Sequence, residues 1–288
     1  MSRFSKDWYL VWGLRACAFV AGAITLLIAI FIVAESLPAL RHVGVARFFT
    51  DSSWQPNEYA DRGTFNLVPM LAGTLFIMTG SVALATPFGI AAALFCRYYA
   101  PSAIARIYRR FLELLAGIPS VVFGFWGLVV VVPIINQIHP PGQSVLAAIL
   151  ILGLMILPTI ALMADAALAN VPADYHRAAA SLGLSQWATI RGVILPSAKS
   201  GLFTGVILQS GRAIGETLAV LMVAGNIPKI PTSLFEPART LTANIALEMA
   251  YALGDHRSGL FVTGLLLFII IVSLVACAEW ISKGRIYG

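Results

Sequence analysis

Arg212 and Glu216 are the only charged residues within the stretch Gly201–Gly225. At 1.5 Å per helical residue, Arg212 falls roughly 16 Å from Gly201, close to the middle of a hydrocarbon core of about 30 Å. An ionised side chain at that depth costs roughly 3 kcal/mol unless it is paired or hydrated. We therefore interpret the two charges as marking a pathway or a contact with a partner.

The chemistry available to this segment is anion binding. A guanidinium stays charged in any protein environment and offers a planar fork to an oxyanion. Glu216, four residues on, is expected on the same helix face, where it can neutralise Arg212 between cycles of binding. It can also accept a hydrogen bond from a protonated oxyanion, and phosphate carries such a proton at neutral pH whereas sulfate does not. Thr217 adds a hydroxyl beside it.

The alternative interpretation of this segment is a structural ion pair that locks two helices together. Gly211 and Gly215 are four residues apart and would allow a neighbouring helix to pack closely beside that face.

A second feature is a helix–glycine–helix pattern. An Ala-rich helix is predicted after Pro172, followed by a turn at Gly183 and a second helix that Pro196 stops. Small residues let a partner approach, and large apolar residues anchor it; alternatively, the loop is an amphipathic connector lying on lipid headgroups, with Trp187 as its anchor. The candidate contact residues are Arg177, Ala178, Ala179, Leu182, Gly183, Trp187 and Pro196.

The composition places these features in a membrane protein. Of the 288 residues, 59% are hydrophobic and 11% charged, whereas soluble domains carry about 25% charged residues. A soluble enzyme, a secreted disulfide scaffold and a disordered chain are excluded. The net charge of +6 comes without a basic run or a basic–aromatic platform, so it predicts no nucleic-acid partner and fits the positive-inside bias.

Uncharged windows of about 20 residues predict the membrane spans. The predicted fold is all-α and polytopic, with one transmembrane domain over 1–288. A cytoplasmic loop is predicted at about 170–200. The six predicted spans are about 12–35, 68–96, 112–135, 144–168, 201–225 and 258–281.

The distribution of basic residues predicts the orientation. With a cytoplasmic N-terminus, twelve Lys and Arg residues lie inside and six outside, and Arg212 lies within a span, which accounts for all 19. Both termini are therefore predicted to be cytoplasmic. The first apolar segment is interpreted as a retained helix, because no convincing cleavage site for a signal peptide follows it.

Sequence patterns of an enzyme are lacking. No H-E-x-x-H motif, no intramembrane pair of aspartates and no intramembrane Ser–His or Ser–Lys pair is found, so no catalytic residue and no metal site are predicted. The three cysteines match no metal-site spacing. No G-x-x-x-x-G-K-[ST] motif is present, so any ATP and Mg²⁺ must be bound by another chain and no cofactor is predicted here.

The loop resembles the EAA coupling motif of ABC-importer permeases, E-A-A-x-x-x-G followed by nine residues and an apolar residue before L-P. The match consists of Ala178, Ala179, Gly183 and Leu195-Pro196, with Arg177 where the family has Glu. This resemblance implies the type I importer permease fold, in which cytoplasmic coupling helices insert into a cleft on an ATPase subunit.

Three further segments, Glu113–Gly124, Gly211–Asn226 and Thr240–Ala246, resemble the permeases of the high-affinity phosphate importer, and Ala219–Asn226 places the chain nearer the PstC type than the PstA type. The resemblance implies a prokaryotic inner-membrane protein surrounded by lipid. It implies three protein partners: a PstA-type permease, a PstB-type ATPase dimer and a PstS-type phosphate-binding protein outside. Alternatives left open are a permease for another oxyanion, such as sulfate or molybdate, and an autonomous channel.

Overall fold

The computed structural model of the chain describes the backbone of residues 3–56 and 63–283. Five basic residues that count toward the predicted orientation have side chains outside the described residues: Arg3, Lys6, Arg62, Lys283 and Arg285.

Helices make up most of the described chain. In order they are α1 (Arg3–Ala39), α2 (Arg47–Thr50), α3 (Val68–Leu94), α4 (Ser102–Ala116), α5 (Ser120–Trp126), α6 (Val132–Ile138), α7 (Val145–Ala169), α8 (Ala173–Ser181), α9 (Gln186–Thr189), α10 (Leu195–Gly215), α11 (Leu218–Val223), α12 (Leu241–Glu248) and α13 (Gly254–Lys283). Four π-helical segments adjoin them: Leu40–Gly44, Phe95–Tyr99, Gly127–Val131 and Ile190–Ile194. A two-stranded antiparallel hairpin pairs β1 (Trp54–Gln55) with β2 (Thr64–Phe65).

Within the described residues, five helical stretches are long and apolar enough to cross a membrane: Leu10–Gly44, Val68–Tyr99, Ser120–Ile138, Val145–Ala169 and Gly254–Trp280. Each overlaps one of the predicted spans. The predicted span that none of these stretches matches is 201–225. It overlaps α10, which is 21 residues long but is not among the five stretches. Gln209 and Arg212 lower its hydropathy, and its crossing of the membrane stays a prediction.

The break between the third and fourth spans, residues 139–144, overlaps the gap between the predicted spans 112–135 and 144–168. α6 ends at Ile138 and α7 begins at Val145, where the Ser144 hydroxyl accepts a hydrogen bond from the Ala147 amide (3.2 Å). A serine in that position satisfies one of the free amides of the first helical turn. The apolar run therefore folds back as a helical hairpin.

The core lies between α3 and α7. Fully buried side chains such as Ile151, Leu152 and Ile156 fill it, and Gly89 allows close approach, because a Cβ there would lie 2.7 Å from Cγ2 of Ile160. By contrast, α1 packs along α13 and the apolar window of its span has no buried residue. The exposed sides of α1 are available to lipid.

Candidate functional site

The predicted fifth span is broken at Glu216. α10 ends at Gly215, Glu216 has an extended backbone (φ −69°, ψ 125°), and a new helix, α11, begins at Leu218. The expectation that Arg212 and Glu216 share one helix face is therefore wrong. The helical spacing on which it depended stops one residue before the glutamate.

The Glu216 carboxylate is used at the start of the next helix instead. Its Oε1 accepts a hydrogen bond from the Ala219 amide (3.2 Å), and a carboxylate at a helix N-terminus stabilises the helix. Its backbone carbonyl accepts a hydrogen bond from the Thr242 hydroxyl (3.0 Å). No ion pair joins Glu216 to Arg212 in the described part of the chain. The structure therefore shows neither the neutralisation of Arg212 by Glu216 nor the structural ion pair that was the alternative.

Arg212 lies in the last turn of α10 and is exposed. Among the described residues it has neither an ion pair nor a hydrogen bond. A cation in the last turn is favoured by the helix dipole, but the fork of the guanidinium remains free to bind an oxyanion.

The glycines beside Arg212 leave this surface open. A Cβ built at Gly211 or at Gly215 would meet nothing within 4 Å, so the close packing expected at these glycines is not made by the described part of this chain. Thr217 donates from its hydroxyl to the Gly215 carbonyl (3.3 Å) and therefore lies at the break itself.

A polar contact that the sequence analysis missed holds α10 against α7. The Thr159 hydroxyl donates to Oε1 of Gln209 (2.8 Å), one turn before Arg212, and Nε2 of Gln209 lies 3.1 Å from the sulfur of Met163. A buried glutamine within an apolar span was the available signal, because such an amide needs a partner.

The predicted external segment after α11 contains a buried helix. α12 is capped by the Thr240 hydroxyl, which accepts from the Ala243 amide (3.2 Å), and the Thr74 hydroxyl accepts from the Leu241 amide (3.0 Å). Since Thr242 reaches Glu216, α12 ties the break in the fifth span to α3.

A buried cluster of charged groups closes the same end of the molecule. Glu248, 7% exposed, accepts hydrogen bonds from Nε1 of Trp54 (2.8 Å) and from Arg239, and it lies 2.9 Å from Nε2 of His256. Sequence reasoning did not find this cluster, because Trp54 and Glu248 are 194 residues apart.

At the other end of the fold, the helix–glycine–helix loop has the predicted first half. α8 ends at Ser181, and Gly183 has φ +68°, a conformation that side chains other than glycine rarely adopt. Ala179 is buried, whereas Leu182 and Trp187 are exposed by 77% and 56%. The loop therefore presents two large apolar side chains to the outside.

The second half of the loop differs from the prediction, because Pro196 does not stop a helix. Pro196 lies at the start of α10, directly after a π-helical segment, and the helical backbone continues through it. The π-helical segment Ile190–Ile194 joins α9 to α10 without a break in helical backbone. One helical rod about 45 Å long therefore runs from Gln186 to Gly215.

Two contacts hold the loop against the end of α3. Nε2 of Gln186 donates to the Tyr98 carbonyl, and the His176 ring lies 5.5 Å from the Tyr98 ring. Arg177 points away from this contact and is 79% exposed, with the equally exposed Asp174 at 3.3 Å. Its charge is therefore partly balanced within the loop and remains accessible, as does Ala178.

The chain matches one protein-family model and is similar in sequence to known permeases. Residues 85–286 match the family model of the binding-protein-dependent transport system inner membrane component. The chain is 36% identical to the probable ABC transporter permease protein YqgH of Bacillus subtilis over 94% of this chain and 89% of that protein. It is 35% identical to the phosphate transport system permease protein PstC of Mesorhizobium japonicum over 92% of this chain and 86% of that protein.

Solved structures support the fold. A bacterial ABC transporter involved in the import of the acidic polysaccharide alginate superimposes with a TM-score of 0.65 at 15% identity, covering 99% of this chain and 100% of that chain. The inward-facing MetNI methionine ABC transporter superimposes with a TM-score of 0.58 at 20% identity, covering 76% and 93%. The type I permease fold is thereby confirmed.

Proposed function

Because this chain belongs to the family of binding-protein-dependent transport system inner membrane components, we propose that it is the transmembrane permease subunit of an ATP-driven importer that moves inorganic phosphate into the cell. A relative named as a phosphate permease, aligned over 92% of the chain, supports the substrate. The structural observation that carries the proposal is Arg212, an exposed guanidinium without a partner among the described residues, at a break in a helix.

The open surfaces support a set of partners. The face around Gly211 and Gly215, which the described residues leave uncovered, would receive a second permease subunit of the PstA type. The loop with Leu182 and Trp187 exposed would enter the cleft of a PstB-type ATPase dimer that binds ATP and Mg²⁺. A PstS-type protein would deliver phosphate from outside. In this arrangement 1–288 is one permease domain with both termini in the cytoplasm.

The helical rod from Gln186 to Gly215 suggests how ATP hydrolysis drives transport. Closure of the ATPase dimer would displace the helix–glycine–helix loop at about 170–200, called the coupling loop below. A continuous helix would carry that displacement to Arg212 at its other end. The extended residue Glu216 ends the rod, so α10 can move while α11 stays packed on α5. Arg212 would thereby face the outside and then the inside in turn.

Glu216 and Thr217 would complete the phosphate site. Oε1 of Glu216 is occupied by the Ala219 amide, whereas Oε2 makes no hydrogen bond among the described residues. That oxygen can accept a hydrogen bond from a protonated phosphate oxygen. The Thr217 hydroxyl, whose proton is donated to the Gly215 carbonyl, can accept another. A sulfate ion has no proton to offer at neutral pH.

The test is uptake of labelled phosphate by the assembled complex in vesicles. Arg212→Gln should lower the rate at least tenfold, because a hydrogen bond to a charged group contributes about 1.5–3 kcal/mol, and Arg212→Lys should retain part of it. Lys199→Gln, at the other end of the same helix, is the matched control and should leave uptake unchanged. Normal uptake by a fully assembled Arg212→Gln complex would refute the proposed role of Arg212.

Substrate choice has its own test in the same vesicles. Excess unlabelled phosphate should suppress the uptake of labelled phosphate, and equal sulfate or molybdate should not. Effective competition by sulfate would assign the site to oxyanions that carry no proton.

A further inference from the structure

Helix α4 (Ser102–Ala116) joins the ends of two spans and has three distinct faces. One face is buried against the rest of the chain through Ala105 and Leu112. On the same side, Nη2 of Arg109 donates to Oδ1 of Asp165 in α7 (3.3 Å), which also accepts from Nε of Arg97 (2.9 Å). These ion pairs fix the rotation of α4 about its axis.

The second face is an apolar stripe that the described part of the chain leaves uncovered. Its residues recur at helical spacing and are all at least half exposed, with Ile107 at 69% and Leu114 at 71%. Residues three or four apart lie above one another on a helix, so they form one continuous surface. The stripe consists of Ile104, Ile107, Phe111 and Leu114.

The third face carries the charges. Arg106 and Arg110 are four residues apart and exposed, and neither has an ion pair or a hydrogen bond among the described residues. Glu113 is the only acidic residue of α4; it is exposed and likewise unpaired in the described part of the chain. The exposed charged face is therefore net positive.

The position of α4 along the membrane normal follows from its neighbours. The membrane-crossing stretch before it ends at Tyr99, three residues before the first residue of α4, and the next begins at Ser120. Tyr99 is exposed, and the Tyr108 ring of α4 packs edge-on against Phe95 at 6.2 Å. Tyrosines are enriched at the membrane–water boundary, so α4 lies at the depth of the lipid headgroups.

We propose that α4 is an interfacial helix that binds anionic phospholipid in the leaflet on the side of the coupling loop. The apolar stripe enters the acyl region, and Arg106 and Arg110 contact the phosphate groups of the lipids. Charge complementarity selects this occupant: the two unpaired arginines that border the stripe attract an anionic surface. The surface is separate from the proposed phosphate pathway and does not depend on the transported substrate.

The experiment uses the assembled complex in nanodiscs of phosphatidylcholine containing 30 mol% phosphatidylglycerol. Spin-labelled lipids of each class report the selectivity of the protein for phosphatidylglycerol. Arg106→Gln and Arg110→Gln should each lower that selectivity about fivefold, which corresponds to about 1 kcal/mol per basic residue at an anionic surface. Replacing both residues by Lys should preserve it. Arg177→Gln removes an equally exposed arginine from the coupling loop and should have no effect.

A second measurement locates the stripe itself. Ile107→Cys, labelled with a fluorophore after Cys17, Cys96 and Cys277 are replaced by Ala, should be quenched by lipids that carry a nitroxide on the acyl chain. Unchanged selectivity in a variant that carries both Arg106→Gln and Arg110→Gln would overturn the proposal. Failure of the lipid quencher to reach position 107 would also overturn it, because a protein partner would then cover the stripe.

Discussion

Glu248 and Arg212 lie in two regions of this protein that differ in how their charges are paired. Glu248 lies in the end of the molecule that contains α12, which is predicted to be external and is called the external end below. It is 7% exposed and is surrounded by Trp54, Arg239 and His256, which come from three different elements. Arg212 is exposed and has no partner within the described residues. A charge that the chain itself satisfies holds the fold together, whereas one left unsatisfied indicates a ligand or another subunit.

The same contrast separates the coupling loop from the external end. α12 is fastened by the hydroxyl groups of Thr74, Thr240 and Thr242. The coupling loop instead exposes Leu182 and Trp187 and has few contacts beyond Tyr98. We therefore expect substitutions in the external end to change stability, and substitutions in the loop and at Arg212 to change activity.

The largest expected effect on stability is that of Glu248→Ala. It leaves the largely buried guanidinium of Arg239 without its counter-charge and removes a hydrogen-bond partner of His256, and breaking a buried ion pair costs about 3–5 kcal/mol. The purified complex should lose that amount of free energy of unfolding, measured by thermal denaturation in detergent. Arg212→Gln is the comparison and should leave the melting temperature unchanged. Equal destabilisation by the two variants would contradict the distinction between Glu248, whose charge stabilises the fold, and Arg212, whose charge does not.

Gly183→Ile should act on coupling. A β-branched residue at φ +68° is strained by about 1–2 kcal/mol, and its side chain would enter the surface offered to the ATPase. We expect ATP hydrolysis to continue while phosphate uptake falls, measured together in vesicles. Gly192→Ala is the control, because Gly192 has helical backbone and space for a Cβ. Hydrolysis and uptake that stay coupled in Gly183→Ile would indicate a membrane connector only.

Thr242→Val tests the link between the external end and the helix break. The valine keeps the shape but loses the hydrogen bond to the Glu216 carbonyl, a loss of about 1 kcal/mol. Hydrogen exchange at the Ala219 amide, which donates to the Glu216 carboxylate, should accelerate relative to that of the other amides of α11. Thr263→Val, which removes only a bond to Gly259 within α13, should leave that amide protected; equal exchange in both variants would show that Thr242 does not hold the break.

The smallest effect concerns Glu236 in the external loop. The Thr232 amide, and then its hydroxyl and Lys229, lower the pKa of the Glu236 carboxyl below its ordinary value of 4.5. The contacts thus stabilise the loop above pH 4.5, and that contribution is lost as the pH falls through the lowered pKa. Protection of the Thr232 amide, measured against its intrinsic exchange rate at each pH, should fall over that range, and Glu236→Gln should abolish this pH dependence of protection. A pH dependence that persists in the variant would assign it to another group.

Prediction from sequence succeeded where the signal is local. The turn between Ile138 and Val145, the first coupling helix and the glycine at position 183 each follow from neighbouring residues. Prediction failed at Pro196 and Glu216, because the local sequence around each of these residues is compatible with two different backbone structures. A proline can end a helix or lie in its first turn, and a glutamate can continue a helix or cap the next one.

The sequence by itself determined that the chain crosses a membrane. With 11% charged residues it cannot cover a water-exposed surface, and its apolar windows are long enough to span a bilayer. Only the tertiary structure decided which charges are satisfied. Trp54 reaches Glu248 across 194 residues of sequence, a distance that no local pattern encodes. Arg239 and His256 lie only 9 and 8 residues from Glu248, but the turns of the chain before and after α12 decide that both face it. For the same reason the free state of Arg212 became visible only when Glu216 was found at the start of α11.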